Sequence, residues 1–271
     1  MPKKTETLYN TLLLLKVVTF NDIIQLSSQI IKHPVNRRYI YQKYVKRLVE
    51  TEKLQQIRKG LYVVLSPLEK PNKYEPDKLL IASKIRKHYY IGFHTALEFY
   101  GCAYSNFNEA YICIQSSDRF DPFHYMQLYF KPIFVKDVNS QITEKTYLQT
   151  TLRVSSKERT FIECIDRIQY AGGWEECIKS LDSLTGIDFE KLINLTLHQK
   201  KENLSRRVGY VLELLQKNSP FYEHINPNTI DKLRTRTKNQ PQYLIRGKKG
   251  TLNRSWNLYI PENFEEKLRG I

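Results

Sequence analysis

Residues 5 to 65 run through three helix-type segments and a basic strand pair, and few folds accept that order. Leu8, Leu12 and Leu15 recur at helical spacing and mark a first helix. Thr19 stands as an N-cap before Phe20-Asn21-Asp22-Ile23-Ile24, which opens a second. The third runs from Pro34 or Asn36 to about Glu50. It sets Tyr41, Tyr44, Val45 and Leu48 on one side at i, i+3, i+4 and i+7, and leaves Arg38, Gln42 and Lys46 as an i, i+4, i+8 stripe on another. Two short β-type runs, Leu54-Gln55-Gln56-Ile57 and Leu61-Tyr62-Val63-Val64-Leu65, flank Arg58-Lys59-Gly60, a basic tip holding the glycine a tight turn wants. The order predicts a winged helix-turn-helix over residues 1–66, with this hairpin as the wing.

Charge separates the ends from the middle. Of the net +15, residues 1–70 carry +8, residues 71–230 carry +1 and residues 231–271 carry +6. A Lys/Arg excess gathered on a helix-turn-helix points to phosphate contact, because each neutralised phosphate releases condensed counterions. The bland alternative is a solvated basic surface. At 271 residues with 41% hydrophobic content the chain has enough apolar side chains for two domains and lacks the composition of a disordered one.

Cysteines at 102, 113, 164 and 177 form no C-x-x-C and have no histidine at metal-ligand spacing, so reduced core thiols and no metal are expected. The leucine run near the start breaks at Lys16, too short for a signal peptide core or a membrane span. A cytoplasmic protein with no membrane contact is the expectation.

Ser66-Pro67-Leu68-Glu69-Lys70-Pro71-Asn72-Lys73-Tyr74-Glu75-Pro76 is proline-rich and aperiodic, and reads as the boundary to a second domain over 74–271. Helix patterns follow from Asp77 and over Phe93 to Tyr100. Strand patterns then cover 109–115, 125–130, 132–135 and 150–154, so residues 89–154 predict a small, largely antiparallel sheet. Residues 155–230 return to helical periodicity over 157–170, 174–184, 188–198 and 204–215, and 231–271 form a basic tail ending in a strand at Trp256-Asn257-Leu258-Tyr259-Ile260. The class is α+β: a winged helix, then a mixed domain with a small antiparallel sheet and a helical C-terminal half.

Five segments in order carry a resemblance. They are Arg58-Lys59-Gly60-Leu61-Tyr62-Val63; Tyr89-Tyr90-Ile91-Gly92-Phe93-His94-Thr95-Ala96-Leu97 with Gly101 behind it; the run from Val154-Ser155-Ser156 to Asp166; Arg206-Arg207-Val208-Gly209-Tyr210; and Trp256-Asn257-Leu258. Together they resemble the AbiEi family, antitoxin and transcriptional-regulator components of the AbiE abortive-infection toxin–antitoxin system. The resemblance implies repression of its own promoter by the N-terminal domain and an antitoxin role for the rest. It also implies a neighbouring nucleotidyltransferase-like toxin as functional partner, without need of a stable complex. The chain departs from the family in having Thr51-Glu52-Lys53 where a glycine commonly follows the third helix, and in a longer Ser27–Val35 segment.

Double-stranded DNA is thus the expected ligand. Arg37, Arg38, Gln42, Lys43, Lys46 and Arg47 are the candidate contacts: Arg to guanine or phosphate, Gln to adenine, Lys to phosphate. Asn36 is either the helix N-cap or a base reader, with propensity favouring the cap. Arg58 and Lys59 suit backbone or minor-groove contact. In the tail, Arg234, Arg236, Lys238, Arg246, Lys248 and Lys249 are either a second basic surface or a solvated loop.

No catalysis and no cofactor are expected. Glu158, Glu163 and Asp166 with Arg159 and Arg167 have the i, i+3 and i, i+4 spacings of a salt-bridged helix face, and His94 reads as a packing residue. No P-loop, G-x-S-x-G, H-E-x-x-H or nucleotidyltransferase signature occurs. Two rivals stand beside the repressor: a ligand-responsive regulator working alone, with an aromatic-lined pocket, and a DNA-targeted nuclease or nucleotidyltransferase.

Overall fold

The computed structural model describes residues 3–31, 36–234 and 240–266. The chain forms two compact units: residues 1–91, 108–140 and 144–154 make the first, and residues 92–107, 141–143 and 155–271 the second. Among the described residues no helix is long and apolar enough to cross a membrane.

The first unit opens with α1 (Lys3–Leu13), β1 (Val17–Thr19) and α2 (Phe20–Ile30). Leu8 and Leu12 are buried, but α1 ends before Leu15, which the periodicity had counted within it. Thr19 caps α2 in a reciprocal box: its hydroxyl accepts the Asp22 N–H at 3.1 Å, and Asp22 accepts the Thr19 N–H at 2.8 Å. Next come α3 (Arg37–Ile40), a wide turn over Tyr41–Val45, α4 (Lys46–Glu50), and the hairpin β2 (Leu54–Arg58) and β3 (Leu61–Val64). β3 pairs antiparallel with both β1 and β2, giving the order β1-β3-β2. Leu8, Leu12, Ile23, Ile40, Val45, Leu48 and Val64 pack as its core.

The same unit continues past the proline-rich connector. The Tyr9 hydroxyl donates to Leu65 O at 2.6 Å, Gln55 exchanges two hydrogen bonds with Asn72, and Lys16 pairs with Glu69. After α5 (Lys78–Ile85) the chain builds a six-stranded sheet from β4 (Tyr90–Ile91), β5 (Glu109–Ile114), β6 (Phe123–Tyr125), β7 (Leu128–Phe134), β8 (Ile142–Tyr147) and β9 (Thr150–Ser155), in the order β6-β7-β5-β4-β9-β8.

The sheet is larger than the small, largely antiparallel one expected, and it keeps antiparallel pairs at β4–β5 and β6–β7. β5 and β7 run parallel, as do β4 and β9, so the sheet is mixed. The cause lies in β6, which takes the edge; β7 then returns antiparallel between it and β5. β7 also runs straight through Pro132, where the sequence suggests a break. Tyr129 and Val135 N–H donate to carbonyls on the β5 side, so by alternation the Pro132 nitrogen faces away from β5, beyond the last β6 pair at Phe130. The missing donor costs no ladder bond there.

The second unit holds α6 (Phe93–Phe99), α7 (Lys157–Asp166), α8 (Trp174–Asp182), α9 (Phe189–His198), α10 (Glu202–Asn218) and α11 (Pro227–Arg234). A small sheet follows, β10 (Gln242–Tyr243), β11 (Gly250–Asn253) and β12 (Leu258–Pro261), in the order β10-β12-β11. Phe161, Ile165, Ile178, Leu181, Ile193, Val208, Leu212 and Trp256 form its core. Gly209 is required by close approach, because a Cβ there would fall 2.1 Å from the Trp256 ring. Trp256 in turn donates its ring N–H to Glu213 at 2.6 Å.

Candidate nucleic-acid interface

Asn36 is an N-cap: its Oδ1 accepts the Tyr39 N–H at 2.7 Å. The candidate start at Pro34 lies outside the described residues. Behind the cap, Arg37, Arg38, Gln42, Lys43, Lys46 and Arg47 are all exposed along one helical segment, while Ile40, Tyr44, Val45 and Leu48 face the core.

Tyr41 does not join that buried face and remains 41% exposed. The Lys46 N–H reaches back five residues to Tyr41 O, so the turn is one residue wider than an α-helical turn. The buried side then steps from Ile40 to Val45 rather than to Tyr44 alone, which rotates Tyr41 outward. Its ring meets Phe20 edge-on at 6.2 Å, and the Arg37 guanidinium lies 5.1 Å over Phe20. On the neighbouring turn Lys43 donates to the exposed Tyr39 hydroxyl, an interaction that holds the ammonium above its ordinary range. Tyr39, which sequence periodicity leaves unassigned, and Tyr41, which it sets on the buried side, are therefore both members of the exposed face; the wide turn at Tyr41 has no signature in residue types.

The segment after this helix supplies its own stop. Lys53 N–H donates to Leu48 O at 2.8 Å and Glu52 N–H to Val49 O at 3.0 Å, with Glu52 at φ 54°. That is a Schellman ending with glutamate in the position glycine usually takes. At the tip of the β2–β3 hairpin Lys59 is exposed and Gly60 has φ 78°, and Gly60 O accepts the Phe20 N–H at 2.8 Å, tying the tip to α2.

Arg58 behaves differently from Lys59. Its guanidinium lies 4.7 Å over Phe123 and 6.0 Å from the Phe120 ring, beside Arg86, which lies 5.3 Å over the same Phe120. The sheet of its own unit therefore holds Arg58, and Lys59 is the cation the tip presents.

The tail residues divide as well. Arg234 pairs with Glu213 at 2.9 Å and with Asp231, and lies 4.9 Å over Trp256, so it is tied into the core of the second unit. Arg246, Lys248 and Lys249 are exposed, and Arg236 and Lys238 fall outside the described residues. Arg206, read only as part of a sequence motif, is fully buried: it donates to Gln240 O at 2.8 Å and Asn257 O at 3.1 Å, and pairs with Glu202.

The carboxylates of α7 are engaged. Glu163 pairs with Arg159 at 2.8 Å, Asp166 with Lys201 at 2.7 Å, and Glu158 with Lys191 at 3.1 Å, and Arg167 lies 5.6 Å over Phe93. His94 is fully buried, stacked on Phe107 at 3.8 Å, with Nε2 2.9 Å from Glu176 and Nδ1 3.6 Å from Glu98. Burial works against the Glu176 charge, but the bonds from His94, the Ser105 N–H and the Ser105 hydroxyl prevail and hold its carboxyl below the ordinary range. Among the described residues no group of three or more His, Cys, Asp or Glu is gathered to hold a metal ion.

No family model matches the chain, and no curated protein matches it. The fold as a whole is similar to the crystal structure of the Rv2827c protein from Mycobacterium tuberculosis, with a TM-score of 0.62 and 15% sequence identity over 95% of this chain and 91% of that one.

Proposed function

We propose that the chain is a sequence-specific DNA-binding repressor of the winged-helix type, with α3–α4 entering the major groove and the β2–β3 hairpin set against the phosphates. The observation that carries this reading is the exposed row Arg38, Gln42 and Lys46 on a helix whose opposite side is buried, with Lys59 exposed at a neighbouring hairpin tip. The element order helix, strand, helix, helix and hairpin, with sheet order β1-β3-β2, is that expected of a winged helix and supports it. In this reading Arg38 and Gln42 read base edges, and Arg37, Lys43, Lys46, Arg47 and Lys59 hold phosphates.

The rest of the chain, residues 74–271, takes the antitoxin role, and the chain controls its own promoter beside a nucleotidyltransferase-like toxin. This part rests on the ordered resemblance to the AbiEi family. It is supported by the packing of two of those segments on each other through Gly209 and Trp256. Reporter expression from the chain's own upstream region, together with growth of cells expressing the adjacent gene, tests both halves. Full-length protein should lower the reporter and restore growth, and Arg38→Ala should release the reporter while growth is still restored. A reporter indifferent to the full-length chain contradicts the repressor, and growth inhibition that the chain does not relieve contradicts the antitoxin.

A further inference from the structure

The first unit holds a cleft of about 380 Å3 bounded by α5, the segment that follows it and the β8–β9 hairpin. Cations dominate its lining: Lys84, Arg86, Lys87 and Arg153 stand against one carboxylate, Glu144. Three of the four have partners that use donors, and of these Arg153 keeps an N–H unbonded. Lys84 pairs with Asp22 at 3.1 Å, and Arg86 donates to the carbonyls of Ile85, Asp118 and Arg119. Burial, and after it the nearby Arg58 charge, lower the proton affinity of Arg86 against the opposing pull of Asp118. Lys87 is exposed at the rim. Arg153 donates to Val138 O and Asn139, while its Nε makes no hydrogen bond and lies 3.4 Å from Glu144.

The polar atoms beneath point the same way. Tyr89 is 4% exposed and Thr150 7%; the Thr150 hydroxyl has no hydrogen-bond partner, and the Tyr89 hydroxyl has beside it only the Arg153 backbone N–H and the Ser83 side chain, neither in full hydrogen-bond geometry. Ser83, also in the lining, gives its proton to Leu80 O at 2.7 Å. Burial pushes the Tyr89 phenol up to about 12 against the opposing pull of the Arg153 backbone N–H and the Ser83 hydroxyl, so at neutral pH it keeps its proton as a donor. Buried hydroxyls short of a full hydrogen bond are rare in native structures, and two in one cationic cleft mark a place for acceptor oxygens. The turn that closes the cleft is strained as well: Leu148 at φ 42° and Gln149 at φ 62° hold two successive left-handed conformations without a glycine.

We propose that this cleft binds a small phosphate-bearing anion, whose oxygens accept from the Tyr89 and Thr150 hydroxyls while Lys87 and Arg153 supply the charge. A phosphate brings three acceptor oxygens and close to two negative charges, which matches the cation excess better than a carboxylate does. The volume is that of a small-ligand site, at the low end of the roughly 300–1,000 Å3 such sites span. A duplex backbone can touch Lys87 at the rim, but its phosphates do not descend to hydroxyls buried to this degree.

Calorimetric titration of the full-length protein with inorganic phosphate, adenosine 5′-monophosphate and adenosine, at matched ionic strength, tests the proposal. Phosphate or the nucleotide should bind and adenosine should not. Tyr89→Phe, which removes one oxygen, and Lys87→Ala should each weaken that binding about five- to tenfold, with thermal unfolding of the free Tyr89→Phe protein no lower than wild type. Absence of binding by both phosphate probes overturns the proposal, as does binding that neither variant weakens. So does a Lys87→Ala protein that loses duplex DNA while neither probe binds the wild type, since the cleft would then be a contact for the DNA backbone.

Discussion

The Arg58 guanidinium sits 4.7 Å from the centroid of the Phe123 ring, so the first cation of the β2–β3 hairpin is fastened to the sheet of its own unit. Lys59, one residue on, is exposed. Two adjacent basic residues thus sit in opposite environments. Arg58→Ala should lower stability by about 0.5–2 kcal/mol through loss of the aromatic contact. Lys59→Ala should change stability by less than about 0.5 kcal/mol and weaken every DNA sequence alike. Chemical unfolding paired with binding to specific and random duplexes separates the two; equal effects of both substitutions on stability would show that Arg58 is not a fastening.

On the α3–α4 face, Arg38→Ala or Gln42→Ala should cost about 1–3 kcal/mol of discrimination between specific and random DNA where the side chain reads a base edge. Neither side chain is buried, so thermal stability should barely move. Equal losses on both DNAs would reassign these residues to phosphate contact.

The local signals of this region were legible because they depend on near neighbours. The Thr19 and Asn36 caps, the burial of Tyr44, Val45 and Leu48, and the glycine at the hairpin tip each follow from residues within one turn. What failed to read out depends on distant partners or on backbone choice. Tyr41 looks buried until one wide turn rotates it outward, and Arg58 looks like a tip residue until Phe123 arrives from β6. The connector has the composition of a linker, but Lys16 and Gln55 bind it to the first unit. β8 is polar, has no buried residue, and carries no strand pattern of its own. The cleft over Tyr89 joins α5 to β9, segments some seventy residues apart, and no local pattern announces it.

Glu52 occupies a left-handed position at φ 54° where glycine costs nothing. Glu52→Gly should stabilise the protein by about 0.5–1 kcal/mol, the relief of the left-handed conformation exceeding the added freedom of the unfolded chain. A shift of the unfolding midpoint to lower denaturant would mean that Glu52 makes a compensating contact.

Acid should unfold the second unit in part through Glu176. Its folded carboxyl titrates below the ordinary value of 4.5, so its stabilisation is complete above that value and is lost as pH falls through the lowered one. Glu176→Gln should cost about 1–3 kcal/mol at neutral pH and flatten the loss of stability below pH 4.5. Parallel stability curves for the two proteins through that window would remove Glu176 from the acid response.

Binding of the full-length protein to its own upstream DNA and to an unrelated fragment of equal length, across a salt series, tests the central claim most directly. The exposed cations Arg37, Arg38, Lys43, Lys46, Arg47 and Lys59 should give tighter binding to the upstream fragment and an affinity that falls steeply and log-linearly with salt. Equal affinity for both fragments, or an affinity indifferent to salt, would contradict it.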